Sequence, residues 1–178
     1  IQLVDETSIE LGAKIARATK AAMGALYPNE QIDEILFWME QEGRLGRKAR
    51  AGFFNYSEKG KREGFWKGLE EKYPLSTTIP AFEDVQHRLM FIQALEAVRA
   101  LEEGVLMDIR EGDVGAILGW GFAPWSGGPL SWLDILGTPY AAERCQTLCE
   151  TYGQRFECPP LLADMGKNNE AFYERFSP

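Results

Sequence analysis

Gly119-Trp-Gly-Phe-Ala-Pro-Trp-Ser-Gly-Gly-Pro-Leu-Ser-Trp-Leu-Asp134 sets three tryptophans and two prolines among glycines, with helical patterning on either side. Turn chemistry this dense between helices predicts a shaped, rigid loop rather than a linker. Its closing residues, Leu130-Ser-Trp-Leu-Asp134, have a counterpart at the front of the chain, Ile1-Gln-Leu-Val-Asp5, with Asp134 lying 129 residues beyond Asp5. Both pieces open short amphipathic helices, and Gly12 and Gly137 follow them. An alanine-rich helix comes next in each case, ending in Ala25-Leu-Tyr-Pro28 and in Arg155-Phe-Glu-Cys-Pro159. Another helix follows each proline, and the copies close on Gly52-Phe-Phe-Asn-Tyr56 and Asn169-Glu-Ala-Phe-Tyr173. Repeated order of this kind carries more weight than any single match.

The second copy also has a front that the first lacks: a long helix, a second helix, then the Gly/Trp loop. By that comparison about 45 residues are expected ahead of Ile1 in the whole protein. The opening on Ile1 rather than Met, inside an amphipathic segment, also predicts a piece of something longer.

Periodicity supplies the elements. From Ser8 to Met23 the residues Ile9, Leu11, Ile15, Ala18 and Ala22 keep helical spacing, with Thr7 or Ser8 as cap and Gly24 and Pro28 as the stop. A helix from Asn29 to Glu42 carries Ile32, Ile35, Leu36 and Met39, and Gly43 ends it. Residues 57–80 read as irregular, with a short helix near Trp66 to Glu71 and a linker at Ser76-Thr-Thr-Ile-Pro80. The longest helix runs from Phe82 to Glu103, with Val85, Leu89, Ile92, Leu95, Ala97, Val98 and Leu101 as its apolar face. Further helices are expected over Asp108–Leu118, Thr138–Tyr152 and Pro160–Met165. No run alternates in the manner of a half-buried strand, so the expected fold class is all-α. The expected organisation is a first repeat over 1–74, a linker over 75–81 and a second repeat over 82–178.

A chain of 178 residues that is 45% hydrophobic can bury a core as one domain or two small ones. No apolar stretch approaches the roughly 18 residues needed to span a bilayer, and no signal-peptide pattern is present. A net charge of −8 with interspersed signs speaks against nucleic-acid binding. Cys145 and Cys149 share a helix face, and Cys158 leaves an odd count, so reduced thiols are expected rather than a disulfide framework. A metal site would need more His or Cys than the single His87 offers, and none is expected.

In combination these segments resemble the C-terminal region of the L-3-hydroxyacyl-CoA dehydrogenase family, as found in the multifunctional α-subunit of bacterial fatty-acid β-oxidation complexes. The Gly-Pro loop followed by an apolar pair and Asp is matched by Gly128-Pro-Leu-Ser-Trp-Leu-Asp134 and by Leu3-Val-Asp5. The family's basic, glycine-rich stretch is matched by Leu45-Gly-Arg-Lys-Ala-Arg-Ala-Gly-Phe-Phe-Asn-Tyr56, with Phe54 where Tyr is usual. Arg88-Leu-Met-Phe-Ile-Gln-Ala-Leu-Glu-Ala-Val-Arg-Ala-Leu-Glu-Glu-Gly104 resembles the leading helix of the second repeat.

The resemblance implies two tandem helical repeats packed as a pseudo-dimer, like the C-terminal domain of 6-phosphogluconate dehydrogenase. It implies a cytoplasmic oxidoreductase of fatty-acid β-oxidation that uses NAD to oxidise L-3-hydroxyacyl-CoA to 3-ketoacyl-CoA. In the family a His paired with a Glu takes the hydroxyl proton while hydride leaves C3, and the NAD domain lies upstream. This chain has no strand followed by Gly-x-Gly-x-x-Gly; in Gly119-Trp-Gly121 the pattern breaks at Pro124. No catalytic or cofactor-binding residue is therefore expected here, and the piece alone should be inactive. Leu3 and Val4 match positions near the acyl tail and are the expected substrate contacts. Expected partners of the whole protein are an acyl-CoA and a thiolase subunit, and the isolated piece is expected to self-associate through its uncovered first repeat. The alternative is a non-enzymatic helical module that binds a partner subunit.

Three features have structural readings beside functional ones. His87 precedes Arg88 where the family's catalytic repeat has a substrate-contacting Asn, and it is expected as a partly buried or surface helix residue near Glu83 and Asp84 at the cap. Trp120, Trp125 and Trp132 are expected to fill the seam between repeats rather than line an acyl pocket. Arg44, Arg47, Lys48 and Arg50 are expected as solvated loop charge rather than a CoA phosphate site.

Overall fold

A computed structural model describes residues 1–27 and 30–176, with the backbone alone for 30–32. Pro28 and Asn29, expected to end one helix and begin the next, and the Ile32 side chain lie outside the described residues. The chain divides into two compact units, residues 1–78 and 79–178. The described residues are all-α apart from one short hairpin.

In the first unit, α1 (Gln2–Thr7) and α2 (Ile9–Met23) are separated by Ser8, and α3 (Glu30–Gln41) packs on α2. The core is small: Ile9, Met39 and Phe53 are buried, flanked by Val4, Ile35, Leu36 and Trp38. On α2 the buried stripe is Ile9, Ala13 and Ala16, a spacing that brings α3 close over small side chains. Of the expected stripe only Ile9 is buried, whereas Leu11, Ile15, Ala18 and Ala22 are exposed. A helix whose sequence is apolar on two sides cannot reveal from periodicity alone which side the core takes.

An antiparallel pair, β1 (Phe54–Tyr56) and β2 (Arg62–Phe65), begins in the basic, glycine-rich stretch and returns within the segment read as irregular, where α4 (Lys67–Lys72) follows. Phe54 and Phe65 face one another across the pair with ring centroids 4.3 Å apart. Strands of three and four residues are too short to show alternation, so pattern reading misses them. Trp66, at the start of α4, stacks on Trp38 of α3 at 5.0 Å, which ties the hairpin region to the helices.

The second unit contains α5 (Phe82–Glu102), α6 (Ile109–Trp120), α7 (Pro129–Leu136), α8 (Thr138–Tyr152), α9 (Pro160–Asn168) and α10 (Phe172–Arg175). Helix α7 is its hub, packing against α5, α6, α8 and α10 with Leu130 and Leu133 fully buried. Asp108 caps α6 by accepting from the Arg110 N–H at 2.9 Å, and its contacts with Arg110 hold its carboxyl down to about 2. Helix α5 buries His87, Met90, Phe91, Ala94, Leu95 and Val98, whereas Val85 and Leu89 from the expected face are exposed.

The repeat is visible in the backbone. Helix α2 spans residues 9–23 and α8 spans 138–152, the same length at the same offset. A short 3-10 turn follows each, at Gly24–Leu26 and Gln154–Phe156. The sequence pairing of Gly12 with Gly137 is corrected: Ser8 is the counterpart, with φ 87 and ψ 125 against φ 84 and ψ 126 at Gly137. Gly12 lies inside α2, where an added Cβ would sit 3.4 Å from the Leu36 side chain.

Candidate functional site

The aspartate that ends each Leu/Val-Asp motif is the organising residue of its unit. Asp5 is 1% exposed, and its Oδ1 accepts from the Phe53 N–H at 2.8 Å. Its Oδ2 accepts from the Phe54 N–H at 3.0 Å and from the Tyr56 hydroxyl at 2.8 Å. One carboxylate on α1 thus holds the start of the hairpin, and a buried acceptor of this kind needs its donors. Burial, followed by the bond to Asp5, pushes the Tyr56 hydroxyl up to about 12.

Glycine is required where the loop crosses this carboxylate: a Cβ on Gly52 would lie 2.2 Å from Asp5 Oδ1. Arg44 completes the anchor. It donates to the carbonyls of Gly52 and Phe54 at 2.7 and 3.1 Å and to Asn55 Oδ1 at 2.8 Å, with its guanidinium 4.5 Å from the Trp66 ring centroid. Of the four basic residues read as solvated loop charge, Arg44 is therefore half-buried and structural. Arg47, Lys48 and Arg50 are exposed, with Arg47 3.4 Å from Glu6.

The second unit repeats the device and extends it. Asp134 accepts from the Phe172 and Tyr173 N–H groups at 2.7 and 3.0 Å, so Phe53 and Phe54 correspond to Phe172 and Tyr173. Burial raises the Asp134 carboxyl above its ordinary range against the lowering effect of those two bonds. Asp113 on α6 accepts from the N–H groups of Leu130 and Ser131 at 2.8 and 3.0 Å and from the hydroxyls of Ser131 and Tyr173 at 2.6 and 3.0 Å. It thereby satisfies the first turn of α7 from a distance in sequence. Gly128, at φ 121, leaves room for it, since a Cβ there would lie 2.3 Å from the Asp113 Cβ.

The Gly/Trp loop is what this capping shapes. Gly121 ends α6 in the left-handed region, Pro124–Ser126 form a 3-10 turn, and Gly127 and Gly128 turn the chain into α7. Gly119-Trp-Gly121 thus closes a helix instead of linking a strand to one, so it does not fit a dinucleotide cradle. Trp132 fills its own unit's core, 4.9 Å from Phe91 in an edge-on contact, rather than a seam between repeats. Trp120 and Trp125 are 63% and 64% exposed. The Trp120 indole donates to Gln93 at 3.0 Å beside a cavity of about 550 Å³ between α5 and α6. Ile92, Ala97, Ala100, Leu106 and Gly115 give it apolar walls, and Glu96 and Glu111 also line it.

His87 is buried, and its partner is a residue that sequence reading did not single out. Arg144 Nε donates to His87 Nδ1 at 3.0 Å, which places the imidazole proton on Nε2. Arg144 also donates to Asp84 at 2.8 Å, and the Tyr152 hydroxyl bonds the other Asp84 oxygen. Burial and then the neighbouring guanidinium hold His87 below its ordinary range, so it is neutral at pH 7. Its ring meets Phe91, Trp132 and Tyr140, a packing environment that ties α5 to α7 and α8.

Leu3 and Val4 diverge. Leu3 is 69% exposed on α1, and Val4 packs against the Ile9, Met39 and Phe53 core. Cys145 is fully buried, and its thiol is pushed up by a hydrogen bond with Cys158 and by burial; Cys149, its expected face-mate, is half-buried. Among the described residues no group of three or more His, Cys, Asp or Glu side chains converges to hold a metal ion.

Over 176 residues, 98% of the chain, the sequence is 34% identical to the fatty acid oxidation complex subunit alpha of Vibrio vulnificus (strain CMCP6). This chain is a relative of that α-subunit. The match takes in both units, so the tandem arrangement lies within the shared region. The chain spans about a quarter of the relative's length, 24%. No family model matches it.

Proposed function

We propose that the chain is the C-terminal part of a 3-hydroxyacyl-CoA dehydrogenase of fatty-acid β-oxidation. The whole protein oxidises L-3-hydroxyacyl-CoA to 3-ketoacyl-CoA in the cytoplasm, with NAD accepting hydride from C3 and a thiolase subunit as partner. The observation that carries this reading is the carboxylate anchor built twice, at Asp5 and at Asp134, within a region shared with a fatty acid oxidation α-subunit.

The described residues do not fit NAD. The only strands among them form a two-stranded antiparallel hairpin, and the glycines of the Gly/Trp loop are used in capping. The chain's own contribution is to close the substrate cleft. Leu3, exposed on a helix whose position Asp5 fixes, offers an apolar surface to the acyl tail, with Val4 beside it. Anchoring the hairpin onto α1 keeps that surface in place without any side chain of the chain entering the chemistry.

The test is steady-state oxidation of 3-hydroxyacyl-CoA by the full-length protein carrying Leu3→Asp. KM for a long-chain substrate should rise about tenfold or more, with the four-carbon substrate and kcat unchanged. Unchanged KM for every chain length removes Leu3 from the acyl site. Absence of NADH formation by the unmodified full-length protein removes the dehydrogenase reading altogether.

A further inference from the structure

Two of the three cysteines meet inside the second unit. Cys145 is fully buried on α8, and Cys158 packs against the same core from the bend between the Gln154–Phe156 turn and α9. Their side chains are hydrogen-bonded to one another. Cys158 also lines an open cavity of about 410 Å³, beside Ala142, Glu143 and Gln146 of α8 and Ala163 and Lys167 of α9. A small solute can therefore reach Cys158, whereas Cys145 has no exposed surface.

The contact makes the two sulfurs unequal. The bond from Cys145 draws the Cys158 thiol below its ordinary range, against burial and the Glu102 carboxylate. The same bond, then burial, leaves the proton on Cys145. Arg99 donates to the Glu157 carbonyl at 2.9 Å, beside Cys158, and its charge favours the thiolate. Cys158 also reaches the Pro159 carbonyl at 3.7 Å, a long contact that its thiol gives up on ionising.

Geometry separates this pair from the other one on α8. Residues four apart on a helix hold their Cβ atoms about 5–6 Å apart, beyond the span of about 3.5–4.5 Å that a disulfide bridges. That keeps Cys145 and Cys149 from bonding without breaking the helix. Cys158 lies outside any helix. Thiols already in hydrogen-bonding contact need only a side-chain adjustment to reach the S–S length of about 2.0 Å.

We propose that Cys145 and Cys158 are a redox modification site, a dithiol that hydrogen peroxide oxidises to an intramolecular disulfide. In the first step the Cys158 sulfur attacks a peroxide oxygen. An S–O bond forms, the O–O bond breaks, and the hydroxide released takes up a proton to leave as water. Cys158 is oxidised to the sulfenic acid and the peroxide is reduced. In the second step the Cys145 sulfur attacks the Cys158 sulfur. The S–S bond forms, the S–O bond breaks, and hydroxide leaves with the Cys145 proton as a second water. The disulfide pins the middle of α8 to the residues leading into α9, and it shields Cys158 from irreversible oxidation. None of this draws on the dehydrogenase reading.

The test treats the full-length protein with hydrogen peroxide, blocks the remaining thiols with N-ethylmaleimide and maps unreduced peptides by mass spectrometry. The expected product is a peptide pair linked through Cys145 and Cys158, which dithiothreitol returns to two thiols. In Cys145→Ala, which keeps a small apolar side chain in the core, the Cys158 sulfenic acid should persist and be trapped by dimedone. In Cys158→Ala, oxidation of Cys145 should slow at least about tenfold. Should a variant fail to fold, the map of the unsubstituted protein decides alone. A disulfide from Cys145 or Cys158 to any other cysteine overturns the proposal. So does a Cys158 sulfinic acid beside a free Cys145 thiol, or Cys145 oxidation as fast in Cys158→Ala. Both thiols left free after the same peroxide has oxidised glutathione in the tube would equally overturn it.

Discussion

Replacing Asp5 with alanine removes the acceptor of three hydrogen bonds in one step: those from the Phe53 N–H, the Phe54 N–H and the Tyr56 hydroxyl. A hydrogen bond to a charged group contributes about 1.5–3 kcal/mol, and a buried donor left without an acceptor costs about 1–3 kcal/mol. Simple addition overstates the total, because the three share one carboxylate and the Phe54 bond is only half-buried. The expected loss is about 3–5 kcal/mol for the first unit. Asp5→Asn should cost less, about 1–3 kcal/mol, since an amide oxygen can keep one backbone donor while its NH₂ faces another. The assay is hydrogen exchange followed by mass spectrometry through a urea series, reading peptides that cover residues 43–56 and, as an internal control, residues 160–176. Protection should fall in the first set and stay unchanged in the second. A loss below about 1 kcal/mol, or unchanged protection of Phe53 and Phe54, would refute the claim that Asp5 organises this unit.

Gly52→Ala places a Cβ 2.2 Å from Asp5 Oδ1 and should destabilise the same unit by about 3 kcal/mol, read as a lower urea midpoint. Raising the pH through Tyr56 probes the anchor from the other partner. Its folded value, up to about 12, exceeds the unfolded value of about 10, so the native state keeps the proton longer. That stabilisation is complete below pH about 10 and is lost as the pH climbs toward 12; Tyr56→Phe should flatten the decline, monitored by tyrosinate absorbance and far-UV circular dichroism. His87 gives the opposite slope in the second unit. Its folded value is lowered by burial and Arg144, so its contribution is present above pH about 6.5 and is lost on acidification below that. An imidazole that titrates by NMR at or above the free-histidine value would contradict this.

The helices were legible because their signals are local. Caps, glycine stops and 3.6-residue periodicity placed α2, α5 and α8 within a residue or so of their observed limits. Less legible was the side each helix turns inward, because α2 and α5 are apolar on more than one face. On α2 the small residues Ala13 and Ala16 meet the core and the larger Leu11 and Ile15 do not, the reverse of what bulk alone suggests. The Leu/Val-Asp motif was legible as a repeat and drew attention to Leu3 and Val4. The residue next to them, Asp5, has the clearest role in the structure, and its recurrence as Asp134 was the available signal.

What sequence by itself determined is the all-α character, the helix limits and the existence of two related copies. Each of these is written in residues a turn or two apart, or in the order of segments. Tertiary structure alone decided that Asp5 reaches Phe53, that Arg144 reaches His87 across 57 positions, and that Ser8 takes the backbone angles of Gly137. The physical reason lies in the donors. Asp5 and Asp134 are held by main-chain N–H groups, which every residue but proline carries. No side-chain pattern can therefore announce which N–H groups a buried carboxylate will find, and only the folded chain brings them together.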